Sequence, residues 1–156
     1  MKYNRDFKVR VHTLDLENVT AETAKLADGC GEHVREAVFR TLKAEKKPAR
    51  CEISVILTSD DSIRELNKRY LEKDRPTDIL CFPYSSNPPF KCEMYISAET
   101  SCAQAADYGH TPLEELKFLV VHGILHLLGY KDHTRRQRSL MAKKENEYLQ
   151  KIEAYL

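Results

Sequence analysis

Residues 121 to 133 read Val121-His122-Gly123-Ile124-Leu125-His126-Leu127-Leu128-Gly129-Tyr130-Lys131-Asp132-His133, and they place two histidines four residues apart in an apolar run. Positions i and i+4 of an α-helix lie on one face about one turn apart, so both imidazoles can bind one metal ion. Gly129 ends the run and lets the chain turn back. Asp132 or His133 could then supply a third ligand. Three protein ligands and one open position are typical of a catalytic zinc site, although nickel, copper or iron are possible by ligand type.

The segment that leads into this stretch predicts a long, buried helix. Thr111 offers a capping hydroxyl, Pro112 stands at the first helical position, and Glu114 completes a capping box. The residues that follow are apolar on nearly all sides through Leu128, which is typical of a helix at the centre of a domain. Because two buried imidazoles without partners are costly, the pattern favours a metal site over an ordinary core role.

The rest of the chain alternates between strand and helix patterns. The predicted strands are residues 8–14, 51–57, 79–83 and 94–96, and the predicted helices are residues 21–44, 59–70, 97–108, 111–128 and 135–155. Gly29 and Gly31 are possible break points in the first helix. These elements predict an α/β (α+β) fold in which a small mixed sheet of about four strands packs with several helices. We expect residues 1–156 to form a single domain.

The composition limits the classes of partner. Lys and Arg number 25 against 24 Asp and Glu, so any affinity for nucleic acid must come from a local groove. No apolar run approaches the roughly 18 residues of a membrane span, and the chain begins without an apolar signal core. The five cysteines are scattered and never form Cys-x-x-Cys, which is typical of free thiols in a reducing compartment. We expect a cytoplasmic protein without a membrane partner; the oligomeric state is not encoded in these patterns.

The histidine stretch resembles the signature of the YbeY family, bacterial rRNA maturation factors described as metal-dependent endoribonucleases. Other segments resemble the family in the same order, and the resemblance covers roughly residues 51 to 149: Ile63–Asn67, Lys73–Pro83, Tyr95–Ser97 and Tyr108–His110. The resemblance implies a compact α/β domain with one zinc ion per chain. It also implies cleavage of single-stranded RNA, a role in small-subunit rRNA maturation and ribosome quality control, and the small ribosomal subunit or its processing factors as partners.

The third histidine is displaced by one residue relative to the family pattern. The family usually ends its signature Gly-Tyr-Asp-His, whereas this chain continues Gly129-Tyr130-Lys131-Asp132-His133. Asp132 occupies the family spacing of six residues after the second histidine, and His133 follows one residue later. We favour Asp132, since the downstream family residues then stay in register without a gap: Met141, Glu145 and Glu147. His133 is the competing ligand, and it requires a one-residue insertion in the turn, which loops tolerate.

The catalytic residues are less well defined than the metal ligands. Family members often carry an arginine thought to matter for RNA cleavage at the position of Leu71. The weak candidates to replace it are the nearby cations Arg64, Arg69, Lys73 and Arg75, which could contact phosphates. The alternative for these cations is a solvated helix face balanced by neighbouring acids.

The predicted function is therefore a zinc-dependent, single-strand-specific endoribonuclease, a hydrolase acting on RNA. One alternative is a ribosome-associated RNA-binding factor with a structural metal and little nuclease activity, which the absence of the family arginine keeps open. A second is another metallohydrolase such as a peptidase. Gly123 argues against a peptidase, because metalloproteases place their general base, a glutamate, beside the first histidine. Glu93 and Glu99 are weak candidates for a glutamate supplied from elsewhere in the fold.

Overall fold

The computed structural model describes residues 6–46, 50–85 and 87–153. This part of the chain contains four strands and six helices, in the order β1 Phe7–Leu14, α1 Ala21–Gly29, α2 Gly31–Ala44, β2 Cys51–Thr58, α3 Asp60–Leu71, β3 Ile79–Ser85, β4 Phe90–Ser97, α4 Ala98–Tyr108, α5 Pro112–Leu127 and α6 Arg135–Glu153.

The four strands form one mixed sheet in the order β1-β2-β4-β3. β1 and β2 run parallel, as do β2 and β4, while β3 lies antiparallel to β4 at one edge. The parallel pairs need crossover connections, which the intervening helices supply. The predicted α/β class with a small mixed sheet of about four strands is confirmed.

Helix α5 is the central helix, as the apolar sequence predicted. It packs against α2, α4 and α6 and against strand β3. Its fully buried side chains include Leu116, Leu119, Ile124 and Leu125. The predicted capping box is present at its start, where Thr111 and Glu114 each bond to the backbone of the other. The capping box therefore begins α5 at Pro112.

Gly123 allows α5 to approach the sheet closely. A Cβ atom at this position would lie 2.7 Å from Ile79 Cδ1 on β3 and 2.8 Å from Met94 Cε on β4. Real Cβ atoms essentially never approach other atoms so closely, so a side chain here would displace both neighbours. The glycine between the two histidines therefore serves packing, and it brings His122 close to the start of β3.

Some predicted boundaries differ from the structure. The first predicted helix divides at Cys30 into α1 and α2, as its two glycines suggested. β4 begins at Phe90, earlier than the predicted residue 94, and β3 continues past Pro83 to Ser85. Proline is tolerated there because β3 is an edge strand and its register shifts beside this residue. The predicted end of the last helix, at residue 155, lies outside the described residues.

Candidate metal centre

His122 and His126 lie near the carboxyl end of α5, and their ring nitrogens meet. The two Nε2 atoms are 3.0 Å apart. The side chains are 25% and 33% exposed, so both are partly accessible to solvent, while the adjacent Ile124 and Leu125 are buried. The helical spacing of four residues produces this juxtaposition directly.

The other ring nitrogen of each histidine has a hydrogen-bond acceptor. His126 Nδ1 donates to the carbonyl oxygen of Tyr130 at 2.9 Å, and His122 Nδ1 donates to Glu145 Oε1 at 2.6 Å. A carbonyl or a carboxylate oxygen can only accept, so the Nδ1 atoms carry the protons and the Nε2 atoms of the neutral rings carry lone pairs. Two lone pairs that face each other at 3.0 Å repel unless a cation lies between them. The donor set therefore fits a metal ion.

A tight turn after α5 brings Asp132 to the histidine pair. Gly129 adopts a φ of +100°, and the Tyr130 N–H donates back to the carbonyl of Leu125 at 3.1 Å. Asp132 Oδ2 then lies 3.5 Å from His126 Nε2. One ligand atom from each of His122, His126 and Asp132 lies within 4.8 Å of the others. Donor atoms on a tetrahedral zinc are roughly 3.4 Å apart, so the spacing of this group suits zinc.

His133, the competing ligand, lies next to this group but is not one of its members. The residue is exposed, and its backbone N–H donates to Gln137 Oε1 at 3.0 Å. Its carbonyl oxygen accepts from Arg138 Nη1 at 3.2 Å. Of the two candidates for the third position, the structure brings Asp132 to the histidines.

Glu145 on α6 orients His122. Its carboxylate is nearly buried, with 7% of the side chain exposed. Burial lowers the pKa of His122, but the hydrogen bond to Glu145 and its charge outweigh burial and raise the pKa overall. In the sequence Glu145 only marks the family register; its contact with His122 forms only in the folded chain.

Replacing Glu145 with alanine is expected to weaken metal binding by about 10- to 100-fold, because His122 loses the group that holds its ring and its tautomer. Glu145→Gln keeps an acceptor oxygen and should lose less affinity. A competition titration with a chromogenic chelator measures the affinity, and Asn146→Ala on the exposed side of α6 is the matched control. Wild-type affinity in Glu145→Ala would show that this contact does not support the site.

A second polar cluster holds the turn that carries Asp132. Tyr130 Oη donates to Glu45 Oε2 at 2.9 Å, and Lys144 Nζ donates to Glu45 Oε1 at 3.0 Å. Tyr148 also donates to Glu45. Burial raises the pKa of Glu45, but the hydrogen bonds from Tyr148, Lys144 and Tyr130 outweigh it and lower the pKa overall. This cluster could not be predicted from the sequence, because Glu45 lies 85 residues from Tyr130.

Two further side chains border His122. The ring of Phe118 stacks on the imidazole, with centroids 5.8 Å apart. Asp78, just before β3, accepts from Gln104 Nε2 at 3.4 Å, and its negative charge adds to the rise in the pKa of His122. Asp78 therefore places a carboxylate near the histidines without being part of the three-residue group.

The weak catalytic candidates lie on α3 and the segment after it. Arg64 Nε donates to Asp74 Oδ1 at 2.8 Å, so this cation is already paired. Arg69, Lys73 and Arg75 are exposed. Among the described residues, none of these four candidates forms a hydrogen bond or ion pair with the histidines or Asp132, so the structure assigns none of them to the site.

The fold and the site together define an α/β protein with a two-histidine, one-carboxylate candidate metal centre. A family model described as Endoribonuclease YbeY matches residues 15–153. The chain belongs to the YbeY family. This confirms the family and the endoribonuclease class that the sequence predicted.

Individual relatives agree with the family match. The chain is 40% identical over 121 residues to an Endoribonuclease YbeY of Acholeplasma laidlawii, covering 77% of this chain and 85% of the relative. It is 34% identical over 154 residues to that of Geobacillus thermodenitrificans, covering 90% and 94%. A Thermotoga maritima protein with a solution structure aligns with a TM-score of 0.61 and 28% identity, covering 92% of this chain and 88% of that chain.

Proposed function

We propose that this chain is a zinc-dependent endoribonuclease that cleaves single-stranded RNA and holds one zinc ion with His122, His126 and Asp132. The observation that carries the proposal is the convergence of two lone-pair nitrogens and one carboxylate oxygen within 4.8 Å. Imidazole with carboxylate is a ligand set that suits zinc. The family match supports RNA as the substrate.

Residues around the proposed ligands fix the orientation of the two imidazoles without any substrate present. Zinc, when bound, would supply a Lewis acid that polarises a phosphate oxygen and stabilises developing charge. Glu145 and the Tyr130 carbonyl hold the two imidazoles with their Nε2 atoms toward the metal position.

We place the activity in the cytoplasm, in small-subunit rRNA maturation and ribosome quality control, with the small ribosomal subunit or its processing factors as partners. The resemblance to the YbeY family supports this setting. All five cysteines are free thiols, as a reducing compartment favours.

Among the described residues, the structure contains no helix with the length and apolar character of a membrane span. One continuous apolar core extends from Leu26 to Tyr148, which supports a single domain.

The proposal is tested with purified protein and an end-labelled single-stranded RNA. We expect cleavage by the wild type, loss of cleavage on chelation with recovery on adding zinc, and no cleavage by His122→Ala. His12→Ala, at an exposed histidine on β1, is the matched control and should cleave normally. Equal cleavage by His122→Ala and the wild type would refute the metal-dependent enzyme. RNA binding without cleavage by the zinc-loaded wild type would favour the RNA-binding factor instead.

The ends of the products distinguish two routes. Attack by the ribose hydroxyl of the RNA leaves a cyclic phosphate, whereas direct hydrolysis does not. Chromatography of the products therefore decides between them.

A further inference from the structure

Four aromatic side chains, which we call the aromatic face, lie on the side of the sheet opposite α5: Tyr70, Phe82, Tyr84 and Tyr95. Edge-to-face contacts join Tyr70 to Phe82 and Phe82 to Tyr95, with ring centroids 5.2 Å and 5.9 Å apart. Tyr70 is 58% exposed and Tyr84 is 64% exposed. Exposed aromatic rings grouped on one surface are typical of a binding site.

The strand register explains why these rings share one side. Cys81 pairs with Met94, and Met94 packs toward Gly123 of α5. The alternate residues therefore point the other way, and Phe82 pairs there with Glu93. Helix α3 supplies Tyr70 from its last turn.

Glu93 holds the two tyrosines that come from the sheet. Its Oε2 atom accepts hydrogen bonds from Tyr84 Oη at 2.7 Å and from Tyr95 Oη at 3.0 Å. The hydrogen bond to Glu93 raises the pKa of Tyr84 to about 12, so its phenol stays neutral. Both rings are thus anchored through their hydroxyls, which limits the entropy lost when a flat group stacks on them.

Three cations lie on the helix that supplies Tyr70 or on the segment directly after it. Arg69 lines a groove of about 770 Å³ together with Tyr95, and Lys73 and Arg75 are exposed on the segment after α3. Within the described part of the chain, none of these three has a carboxylate partner, whereas Asp74 pairs with both Arg64 and Lys68. Aromatic rings beside free cations are the two components of sites for single-stranded nucleic acid.

Acidic residues on the same groove limit where phosphates can lie. The groove is also lined by Asp15, Asp61 and Glu65. These carboxylates repel phosphate, so a nucleic acid backbone is favoured along the side of the groove formed by Arg69 and Tyr95.

We propose that the aromatic face, with Arg69, Lys73 and Arg75, binds the part of the single-stranded RNA that extends beyond the cleaved bond. The proposal rests on the proposed function for the identity of the substrate. β3 connects the two sites, because its first residue, Ile79, packs against the α5 position between the two histidines. Phe82 and Tyr84 lie three and five residues further, about 10 Å and 17 Å along the strand. A few nucleotides passing over this edge strand reach both sites.

Binding is measured by fluorescence anisotropy of a labelled single-stranded RNA, with every variant made in the His122→Ala background so that the RNA stays intact. The double variant Tyr70→Ala/Tyr84→Ala is expected to raise the Kd by about 10-fold or more, because two stacking surfaces are lost. Tyr84→Phe keeps the ring but loses the hydrogen bond to Glu93, so its Kd should rise by less than that of the double variant. Tyr108→Ala, at a tyrosine that is 67% exposed at the end of α4, is the matched control and should bind normally.

The salt dependence tests the three cations. Each phosphate contact contributes a slope of about −0.7 to the plot of log affinity against log salt for a single strand. Replacing Arg69, Lys73 and Arg75 with glutamine should therefore reduce the slope by about 2. An unchanged slope would refute the proposed phosphate contacts of these three cations.

Wild-type affinity in the tyrosine double variant would overturn the proposal. So would a loss of affinity for duplex RNA as large as the loss for single-stranded RNA, because the paired bases of a duplex cannot stack on the rings. Because binding is read without cleavage, this outcome is separate from the test of the nuclease. If the wild type fails to cleave RNA while the double variant loses single-strand binding, the nuclease proposal is refuted and RNA binding by the aromatic face is supported.

Discussion

Replacing Asp132 with alanine should reduce RNA cleavage by about three orders of magnitude, whereas replacing His133 should leave it near the wild-type rate. Asp132 Oδ2 lies 3.5 Å from His126 Nε2, while His133 is exposed beside the turn. Loss of one ligand would remove a charge and a contact that hold the metal in place. A correctly held metal stabilises the transition state by several kcal/mol. Single-turnover cleavage of a labelled RNA at saturating protein measures the effect.

The two neighbouring substitutions serve as controls for each other. Zinc titration should show weaker binding in Asp132→Ala and unchanged binding in His133→Ala. Asp132→Asn keeps an oxygen but loses the charge, so its affinity should lie between those of the wild type and the alanine variant. Loss of zinc in His133→Ala alone, or a metal-bound structure with a His133 nitrogen about 2.1 Å from zinc, would reverse the assignment.

Gly123→Glu, which creates the His-Glu-x-x-His pattern of metalloproteases, should destabilise the fold by about 4 kcal/mol or more and produce no peptidase activity. The new side chain would point into the core, where its Cβ alone would lie 2.7 Å from Ile79 Cδ1 and 2.8 Å from Met94 Cε. The carboxylate would be buried among apolar groups, away from the metal position. The denaturant concentration at the unfolding midpoint measures the loss.

Gly29→Glu is the matched control, because nothing lies within 4 Å of a Cβ at that position. It should unfold close to the wild-type midpoint. Gly123→Ala should cost less than Gly123→Glu, since the atoms it meets are the ends of flexible side chains and alanine favours the helix by up to about 1 kcal/mol. Wild-type stability in Gly123→Glu would show that α5 does not approach the sheet as described.

Much of the site is local and was therefore predictable from the sequence. His122 and His126 share a helix face because of the helical period, and Thr111 and Glu114 set the start of that helix through contacts three residues apart. The glycine turn at Gly129 follows from the conformational freedom of that residue. Such features depend on short sequence separations, so residue spacing alone describes them.

The tertiary structure decided two features that residue spacing left open: which residue lies beside the histidine pair, and which group orients His122. Asp132 and His133 are adjacent in sequence, and only the path of the turn, held by Tyr130 and Glu45, brings the aspartate to the histidines. Glu145 reaches His122 across 23 residues, because α6 packs back onto α5.

The aromatic face likewise depends on which strands are neighbours, since its rings come from α3, β3 and β4. The sequence by itself determined the class of fold, the histidine pair and the family. Packing between elements far apart in the chain decided which candidate for the third ligand lies at the histidines and which groups orient the imidazoles. It also joined distant aromatic side chains into one surface. Local patterns carry no information about such contacts.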